Sequence, residues 1–246
     1  MFLYKTYVKI FSNNLIILLA NILNKNKNKK LTIVDIGCYI GHFSSSLNSE
    51  LKSFNGKIFF YLIDPNYKIL DSIKLLKFNF SFHNIAIHSN NKKKLFYLNN
   101  FFQSSGSSLN KITVNDNLWN FSRKVFSLSF FKKNYSKLKV QCQTLDNFVK
   151  KNHIKKIDLL KFDTEGNELN ILKGAREVLK NTKIVYLEIL SKKTLFYNKF
   201  NKINSILLKN NFFLYKKKRI ITVSFLSNLI AYDLIYLKYN NYKSII

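Results

Sequence analysis

The chain has 246 residues, of which 47% are hydrophobic and 15% aromatic, enough for one sizeable core. Its 41 basic and 13 acidic residues give a formal net charge of +28. Lysine supplies nearly all of the positive charge, whereas base and phosphate readers usually rely on arginine. We therefore interpret the charge as general surface charge and expect no nucleic-acid partner. Anionic substrates and peripheral contact with a membrane surface remain compatible with it.

The cysteine and histidine content excludes a disulfide-stabilised domain and a zinc-stabilised domain. Cys38 and Cys142 are too few for a disulfide framework and form no Cys-x-x-Cys pair. The four histidines show no zinc spacing. We predict a cytoplasmic protein in a reducing compartment, and no structural metal site.

The N-terminal residues 1–30 are predicted to form a helical extension in front of the main domain. The lead Met1–Leu23 is apolar, and its densest part, Leu15–Leu23, is too short to span a bilayer. We expect a helix that caps one edge of the sheet, followed by a polar linker. Residues 31–246 would then form a single domain.

The first strand leads into a glycine turn. Leu31–Ile36 is apolar and β-branched, contains Asp35, and is followed by Gly37 and Gly41 and then by a helical pattern. Such a turn presents free backbone N–H groups at the C-terminal edge of a parallel sheet, where nucleotide-like ligands bind. Glycine also serves tight turns that bind nothing, so both interpretations stand at this point.

A second apolar strand, Lys57–Ile63, ends in Asp64 and Pro65. An acid in this position can accept hydrogen bonds from ribose hydroxyls, and its distance from Gly41 is close to the roughly 20 residues expected. The alternative is an aspartate that only starts the turn with Pro65. Together with the glycine turn, Asp64 favours a ligand site.

The middle of the chain combines short elements with one long polar segment. The patterns predict a helix over Tyr67–Lys77, a strand over Phe78–His83 and an extended run over Lys94–Leu98. Residues 99–139 are rich in Ser and Asn, and a segment of this length in a compact domain is usually a lid or a binding loop. We predict a partly ordered, lid-like insertion.

A further buried strand, Lys156–Phe162, ends in a cluster of three carboxylates: Asp163, Glu165 and Glu168. Acids at a helix start complement its dipole, which explains part of the cluster. We expect at least one to face the ligand cleft, and favour Asp163 because it stands at the strand tip.

The remaining pattern alternates strands and helices without repeats. It predicts a helix running to about Leu179, a strand over Lys183–Ile189, a helix over Phe200–Lys209, and strands over Phe212–Lys216 and Tyr232–Lys238. This alternation predicts one doubly wound α/β domain.

Several ordered motifs resemble the FkbM family of S-adenosylmethionine-dependent methyltransferases. They occupy Val34–Phe43, Ile63–Asn66, Asn84–Ala86, Ser107–Leu109, Thr144–Asp146, Ile157–Glu168 and Leu172–Ala175. The resemblance implies a Rossmann-like class I methyltransferase fold, with a seven-stranded, mostly parallel sheet and an antiparallel last strand. Tyr39 and Asn167 depart from the family pattern, since a small polar residue and often a histidine stand there.

The resemblance also implies roles for eight residues. Cofactor binding falls to Asp35, Gly37, Gly41, Asp64, Asn84 and Ala86, and catalysis to Asp163 and Glu165. The glycines would let the backbone approach the methionine part of the cofactor, and Asp35 would orient their turn. Asp64 would bind the ribose hydroxyls, and Asn84 and Ala86 would border the adenine. The two acids would lie where the methyl group meets its acceptor.

The implied reaction is O-methylation of a small metabolite or of a sugar or glycan hydroxyl. Methylases that modify amino groups or cytosine C5 commonly need a proline-containing motif beside the reactive group, and the only proline here is Pro65. A non-enzymatic alternative remains: a basic α/β module that binds a glycan, a membrane surface or nucleic acid, with Tyr39 marking a degenerate cofactor site. The sequence specifies neither the oligomeric state nor the acceptor.

Overall fold

A computed structural model of the chain describes residues 14–25, 29–100, 106–110, 134–220 and 229–239. The helices are α1 (14–24), α2 (His42–Glu50), α3 (Leu70–Lys74), α4 (Leu145–Lys151), α5 (Glu168–Lys173) and α6 (Phe196–Lys209). The strands are β1 (Lys30–Ile36), β2 (Lys57–Ile63), β3 (Phe80–His83), β4 (Ala86–Ile87), β5 (Lys94–Asn99), β6 (Tyr135–Val140), β7 (Cys142–Gln143), β8 (Ile157–Phe162), β9 (Thr182–Lys192), β10 (Phe212–Ile220) and β11 (Leu229–Lys238).

Seven of these strands form the central sheet, in the order β10-β11-β9-β8-β1-β2-β3. Neighbours from β3 to β9 pair in parallel, and β11 runs antiparallel to both β9 and β10. The prediction of a mostly parallel, seven-stranded sheet with an antiparallel last strand is confirmed. Because the chain order reverses between β1 and β8, a crevice opens at their carboxyl ends.

Helices cover both faces of the sheet. One apolar cluster joins Leu19 of α1, Leu47 of α2 and Ile73 of α3 to sheet residues such as Ile33. A second cluster on the other face gathers buried side chains of α4, α5 and α6 around β8, including Phe162. We expected the N-terminal helix to cap the sheet edge, but α1 packs on the face because its apolar stripe contacts several strands.

Two short pairs of strands extend the fold at the base of the insertion. β5 pairs antiparallel with β6, and β4 pairs in parallel with β7. The polar segment predicted over residues 99–139 therefore ends in a strand that begins at Tyr135. Most of this segment, residues 101–105 and 111–133, lies outside the described residues, as do residues 1–13 of the predicted N-terminal extension.

Helix α5 is shorter than its sequence pattern predicts, ending at Lys173 instead of near Leu179. Asp146 Oδ1, at the start of α4, accepts hydrogen bonds from the N–H groups of Glu177 and Val178 at 3.1 and 2.9 Å. A side chain from another helix has thus replaced the carbonyls that would have continued α5. Within the described ranges, no helix has the length and apolar character needed to cross a bilayer.

Candidate active site

A cavity of about 130 Å³ lies at the carboxyl ends of β1, β2 and β8. Its polar wall includes Gly37, Asp64, Asp163 and Glu165, and Ala86 belongs to its apolar wall. Three other predicted residues, Asp35, Gly41 and Asn84, are not part of the lining. The fold therefore brings together five of the eight residues at the place where parallel α/β sheets bind ligands.

Gly37 is confined by the strand beside it. Its backbone has φ +76°, and a Cβ at this position would lie 1.9 Å from the backbone oxygen of Asp163. Its N–H donates to the Ile63 carbonyl at 2.8 Å, which ties the turn to β2. Gly41 also has a positive φ, +80°, and it caps the start of α2. Glycine at position 37 is thus required by both backbone angle and space.

Asp64 closes the cavity at the end of β2. Its Oδ2 accepts the Tyr39 N–H at 3.0 Å and its Oδ1 accepts the Asn66 N–H at 2.8 Å. Burial raises the pKa of this carboxyl to about 6, although the two N–H groups act against the rise. A carboxylate has about four acceptor positions, so Asp64 keeps capacity for hydroxyl donors from a ligand.

Of the two predicted residues after β3, Asn84 lies outside the cavity lining and Ala86 within it. Asn84 is exposed, and its side-chain amide donates to the Asp64 carbonyl at 3.0 Å. Ala86 is buried and lines the cavity beside Ile85 and Ile87. Asn84 therefore supports the backbone of Asp64, and Ala86 belongs to a wall suited to a flat apolar ring system.

The turn after β8 carries Asp163 and Glu165 into the cavity wall. Glu165 has φ +53°, a left-handed backbone conformation that is uncommon for a residue with a side chain. Ser108 Oγ lies 3.1 and 2.9 Å from the carbonyl oxygens of Thr164 and Glu165 and donates to this pair. Asn110 donates its side-chain amide to the next carbonyl, at Gly166. Residues 106–110 thus bind backbone carbonyls of the turn formed by residues 163–166, which we call the acidic turn.

Glu168 holds the same turn from inside. It is fully buried, accepting hydrogen bonds from Thr164 Oγ1 at 3.0 Å, the Gly166 N–H at 2.9 Å and Lys199 Nζ at 2.7 Å. With its oxygens engaged in this way, it is a structural member of the carboxylate cluster. Only the other two carboxylates, Asp163 and Glu165, line the cavity.

Asp35 lies behind the glycine turn, fully buried. Ser44 Oγ donates to one of its oxygens at 2.6 Å, and Lys161 Nζ donates to the other at 2.9 Å. Lys161 Nζ also lies 3.5 Å from Asp163 Oδ2, whose side chain is 40% exposed. Burial alone would lower the pKa of Lys161, but Asp35 and Asp163 outweigh burial and hold it above the usual value.

Sequence reasoning missed the residues that support the site from behind: Ser44, Ser108, Asn110, Lys161 and Lys199. Lys161 did leave a signal, since it is the one cation within the otherwise apolar end of β8. Ser108 lies in a motif that was noted but given no role. Asn110 and Lys199 have no local sequence signal, because their partners in the acidic turn and at Glu168 lie at least 31 residues away in the chain. Ser44 lies nine residues from its partner Asp35, but a serine within a helical pattern does not indicate such a contact.

Acidic side chains are concentrated at this sheet edge, although the protein as a whole is strongly basic. Seven of the 13 acidic residues lie at or beside it: Asp35, Asp64, Asp163, Glu165, Glu168, Glu188 and Asp233. Burial and these neighbours raise the pKa of Glu188 well above its usual value, and that of Asp233 to about 6. A cationic ligand is therefore favoured here over a phosphate.

The lining fits S-adenosylmethionine, the cofactor that the resemblance implies. Asp64 has acceptor capacity for a diol, and Ile63, Ile85 and Phe96 supply apolar surface for an aromatic base. The acidic residues of the edge complement a positively charged sulfur. Within the described ranges, no three metal-ligating side chains converge on a common point.

A wider and more open depression of about 670 Å³ lies elsewhere, between α5 and α6. Its lining includes Leu169, Lys173, Lys202 and Ile206 but none of the residues with predicted roles. Among the described residues, its lining contains no carboxylate and no strand end, so the smaller cavity is the candidate active site.

Solved structures offer distant likenesses. An FkbM methyltransferase from Methylobacillus flagellatus KT is 17% identical, with a TM-score of 0.49, over 83% of this chain and 44% of its own. This chain thus spans less than half of that protein. The plantazolicin methyltransferase BpumL, in complex with S-adenosylhomocysteine, is 10% identical, with a TM-score of 0.45, over 96% and 88%. Magnesium protoporphyrin IX methyltransferase from Synechocystis PCC 6803, with bound S-adenosylmethionine, is 10% identical, with a TM-score of 0.42, over 94% and 81%.

These likenesses are too distant to carry an argument about the substrate, and no curated protein matches the sequence. The profile of the methyltransferase FkbM domain, in contrast, matches residues 35–214, well over half of the chain. That range runs from the acid of the glycine turn to the second residue after the start of β10. The chain therefore belongs to the FkbM methyltransferase family, whose members depend on S-adenosylmethionine.

Proposed function

We propose that this protein transfers the methyl group of S-adenosylmethionine to a hydroxyl group of a sugar, a glycan or a small metabolite. The observation that carries the proposal is the presence of Asp163 and Glu165 in the same cavity as Asp64. A proton acceptor would then lie in the part of the site that binds the acceptor, and a ribose-binding acid in the part that binds the cofactor. Membership of the FkbM family supports methyl transfer itself.

The cofactor-binding residues in this proposal are Asp35, Gly37, Gly41, Asp64, Asn84 and Ala86. When bound, S-adenosylmethionine supplies an electrophilic methyl carbon on a positively charged sulfur. Asp64 accepts the ribose hydroxyls, and Ala86 borders the adenine. Asn84 acts on the cofactor through the Asp64 backbone, and Asp35 through the turn that contains both glycines.

Asp163 is the proposed general base. An alcohol is a weak nucleophile until it loses its proton, and a carboxylate within hydrogen-bond reach can accept that proton as the new bond forms. Burial raises the pKa of Asp163, Lys161 opposes the rise, and Asp35 and Glu168 add to it. A raised pKa makes the carboxylate a better proton acceptor, and Glu165 lies two residues further along the wall to orient the acceptor.

The acceptor would bind between the acidic turn and the insertion. Gly106, Ser107 and Leu109 line the cavity, which supports a lid-like role for residues 99–139. Residues 1–30 would remain an N-terminal extension of the domain formed by residues 31–246. The buried free thiols of Cys38 and Cys142 support a reducing, cytoplasmic location.

A negative edge is a poor site for a phosphate backbone, which argues against nucleic acid as the acceptor. The basic binding module without catalysis makes a different prediction, namely no cofactor binding and a steep salt dependence of phosphate binding. Titration of the wild-type chain with S-adenosylhomocysteine separates the two hypotheses. Absence of binding by the folded protein would favour the binding module.

The reaction is tested by incubating the protein with isotopically methyl-labelled S-adenosylmethionine and a panel of sugar and metabolite hydroxyl acceptors. We expect an alkali-stable methyl ether. Asp163→Asn should lose transfer by about 100-fold or more, a typical contribution of a general base, while still binding S-adenosylhomocysteine. Asp71→Asn is the control, because Asp71 is exposed and forms a surface ion pair with Lys74. Label recovered as an alkali-labile ester or on an amine would refute O-methylation.

A further inference from the structure

Lys161 is a lysine buried near the end of a central strand. It lies between Leu160 and Phe162 in β8, and its side chain is 5% exposed. A buried ammonium group is costly unless it is paired and hydrogen-bonded. The contacts that compensate for this burial belong to the candidate active site.

The ammonium group of Lys161 contacts three separate parts of the site. It donates to Asp35 Oδ1 at 2.9 Å and to the Gly37 carbonyl at 3.3 Å, and it lies 3.5 Å from Asp163 Oδ2. Gly37 belongs to the turn on the cofactor side, and Asp163 to the turn on the acceptor side. One cation therefore connects the two turns.

Helix α2 contacts both members of the Lys161–Asp35 ion pair. Ser44 donates to the second oxygen of Asp35 at 2.6 Å, and the Phe43 ring lies 5.1 Å from Lys161 Nζ. These contacts limit the movement of the ammonium group, because both neighbours come from the first turn of one helix. Lys161 thus has a fixed position relative to β1, β8 and α2.

Charged groups face Asp163 from every strand and helix around it. Asp35 lies on β1, Glu168 on α5, and Glu188 and Asp233 on β9 and β11, with Lys218 near Asp233. All of the carboxyl groups favour protonation of Asp163. Lys161 is the cation in contact with it, so Lys161 opposes them directly.

We propose that Lys161 is a positioning residue for methyl transfer, which holds the glycine turn and the Asp163 carboxylate in a fixed relation. The inference rests on the proposed roles of these two turns. Displacement at a methyl carbon requires donor and acceptor in line, and small errors of position slow such reactions strongly. A single ammonium group in contact with both turns supplies that alignment, and its charge also favours the ionised form of Asp163, which can accept a proton.

The test compares two buried lysine–aspartate pairs at opposite ends of β8. Lys161→Met removes the cation of the site. Lys183→Met is the matched control, since Lys183 Nζ pairs with Asp158 Oδ1 at 2.8 Å and both side chains are largely buried. Asp158 lies at the start of β8, away from the cavity, so loss of this pair changes stability without touching the site.

Two readouts separate positioning from folding. The first is the affinity for S-adenosylhomocysteine by calorimetry, and the second is the titration of the Asp163 carboxyl carbon by NMR, assigned with Asp163→Asn. For Lys161→Met we expect affinity to fall about tenfold and the Asp163 midpoint to rise by about one pH unit. For Lys183→Met we expect neither to change.

If Lys161→Met does not fold, the double variant Asp35→Asn/Lys161→Met removes the unpaired buried charge and keeps the test available. We expect it to fold and still to bind S-adenosylhomocysteine about tenfold more weakly than the wild type. Wild-type affinity in the folded variant, or an unmoved Asp163 midpoint in Lys161→Met, would overturn the inference. Failure of the wild type to bind would instead refute the proposed function.

Discussion

Asp64→Asn is the substitution that most directly tests the cofactor site. Asp64 is only 8% exposed, and its two oxygens accept N–H groups of Tyr39 and Asn66. Burial raises the pKa of the carboxyl from 3.8 to about 6. Asparagine keeps the shape of the side chain but does not titrate. Its NH2 group replaces one of the two acceptor oxygens; this loss acts at every pH, so the change in stability between two pH values isolates the consequences of the charge.

The shift predicts a pH dependence of stability. Since the folded pKa is the higher one, the contribution of Asp64 is fully present below about pH 3.8 and is lost as the pH rises through about 6. A shift of about two units corresponds to about 3 kcal/mol in all, of which about 2 kcal/mol falls between pH 4 and pH 7. The free energy of unfolding of Asp64→Asn, relative to wild type, should therefore rise by about 2 kcal/mol over this interval.

Ligand affinity should depend on pH in the opposite sense. The ionised carboxylate forms the stronger hydrogen bonds to ribose hydroxyls, worth about 1.5–3 kcal/mol for a charged partner. Wild-type affinity for S-adenosylhomocysteine should rise about tenfold as the pH passes through about 6. Asp64→Asn should bind weakly at every pH. The charge of Asp64 thus costs stability and strengthens binding.

Chemical denaturation at pH 4 and pH 7 measures the first effect, and calorimetry from pH 5 to pH 8 the second. Asp71→Asn is again the control, because the exposed Asp71 should show neither effect. If the difference in unfolding free energy between Asp64→Asn and wild type is the same at pH 4 and pH 7, the raised pKa assigned to the burial of Asp64 is refuted. A flat wild-type affinity would refute ribose recognition by Asp64.

Three further tests, the first two with a comparison variant, examine how the turns of the site are held. Gly37→Ala and Gly41→Ala both carry the cost of a positive φ, about 1–2 kcal/mol. Of these two positions, only at 37 does the new Cβ meet backbone atoms. Calorimetry should therefore show loss of S-adenosylhomocysteine binding for Gly37→Ala and a smaller effect for Gly41→Ala. Lys199→Met removes the cation paired with the buried Glu168 carboxylate and should lower the free energy of unfolding by about 3–5 kcal/mol. Lys180→Met, which breaks an exposed pair, should lower it by about 1 kcal/mol or less. Equal losses would contradict this account. Ser108→Ala removes the donor to two carbonyls of the acidic turn and should lower stability by about 1 kcal/mol in denaturation experiments, with unchanged cofactor affinity.

The sequence by itself determined which strands would end in the candidate site residues. The runs before Gly37, Asp64 and Asp163 are short and apolar, and each ends in glycine or an acid, so the pattern is local and readable. Parallel strands place their carboxyl ends at one edge, which predicts that these three residues lie near one another. The same alternation predicted a doubly wound sheet, and the family resemblance implied its antiparallel last strand.

Only the tertiary structure decided which residues support that edge and which face away from it. Lys161 meets Asp35 because β8 pairs with β1 in one register, and a shift of β8 by one residue would turn the Lys161 side chain to the other face of the sheet, away from Asp35. The contact of Ser108 with the acidic turn joins positions 56 and 57 residues apart. The outward position of Asn84 depends on the backbone that follows β3. Contacts of this kind arise from packing between distant segments, and no local pattern encodes them.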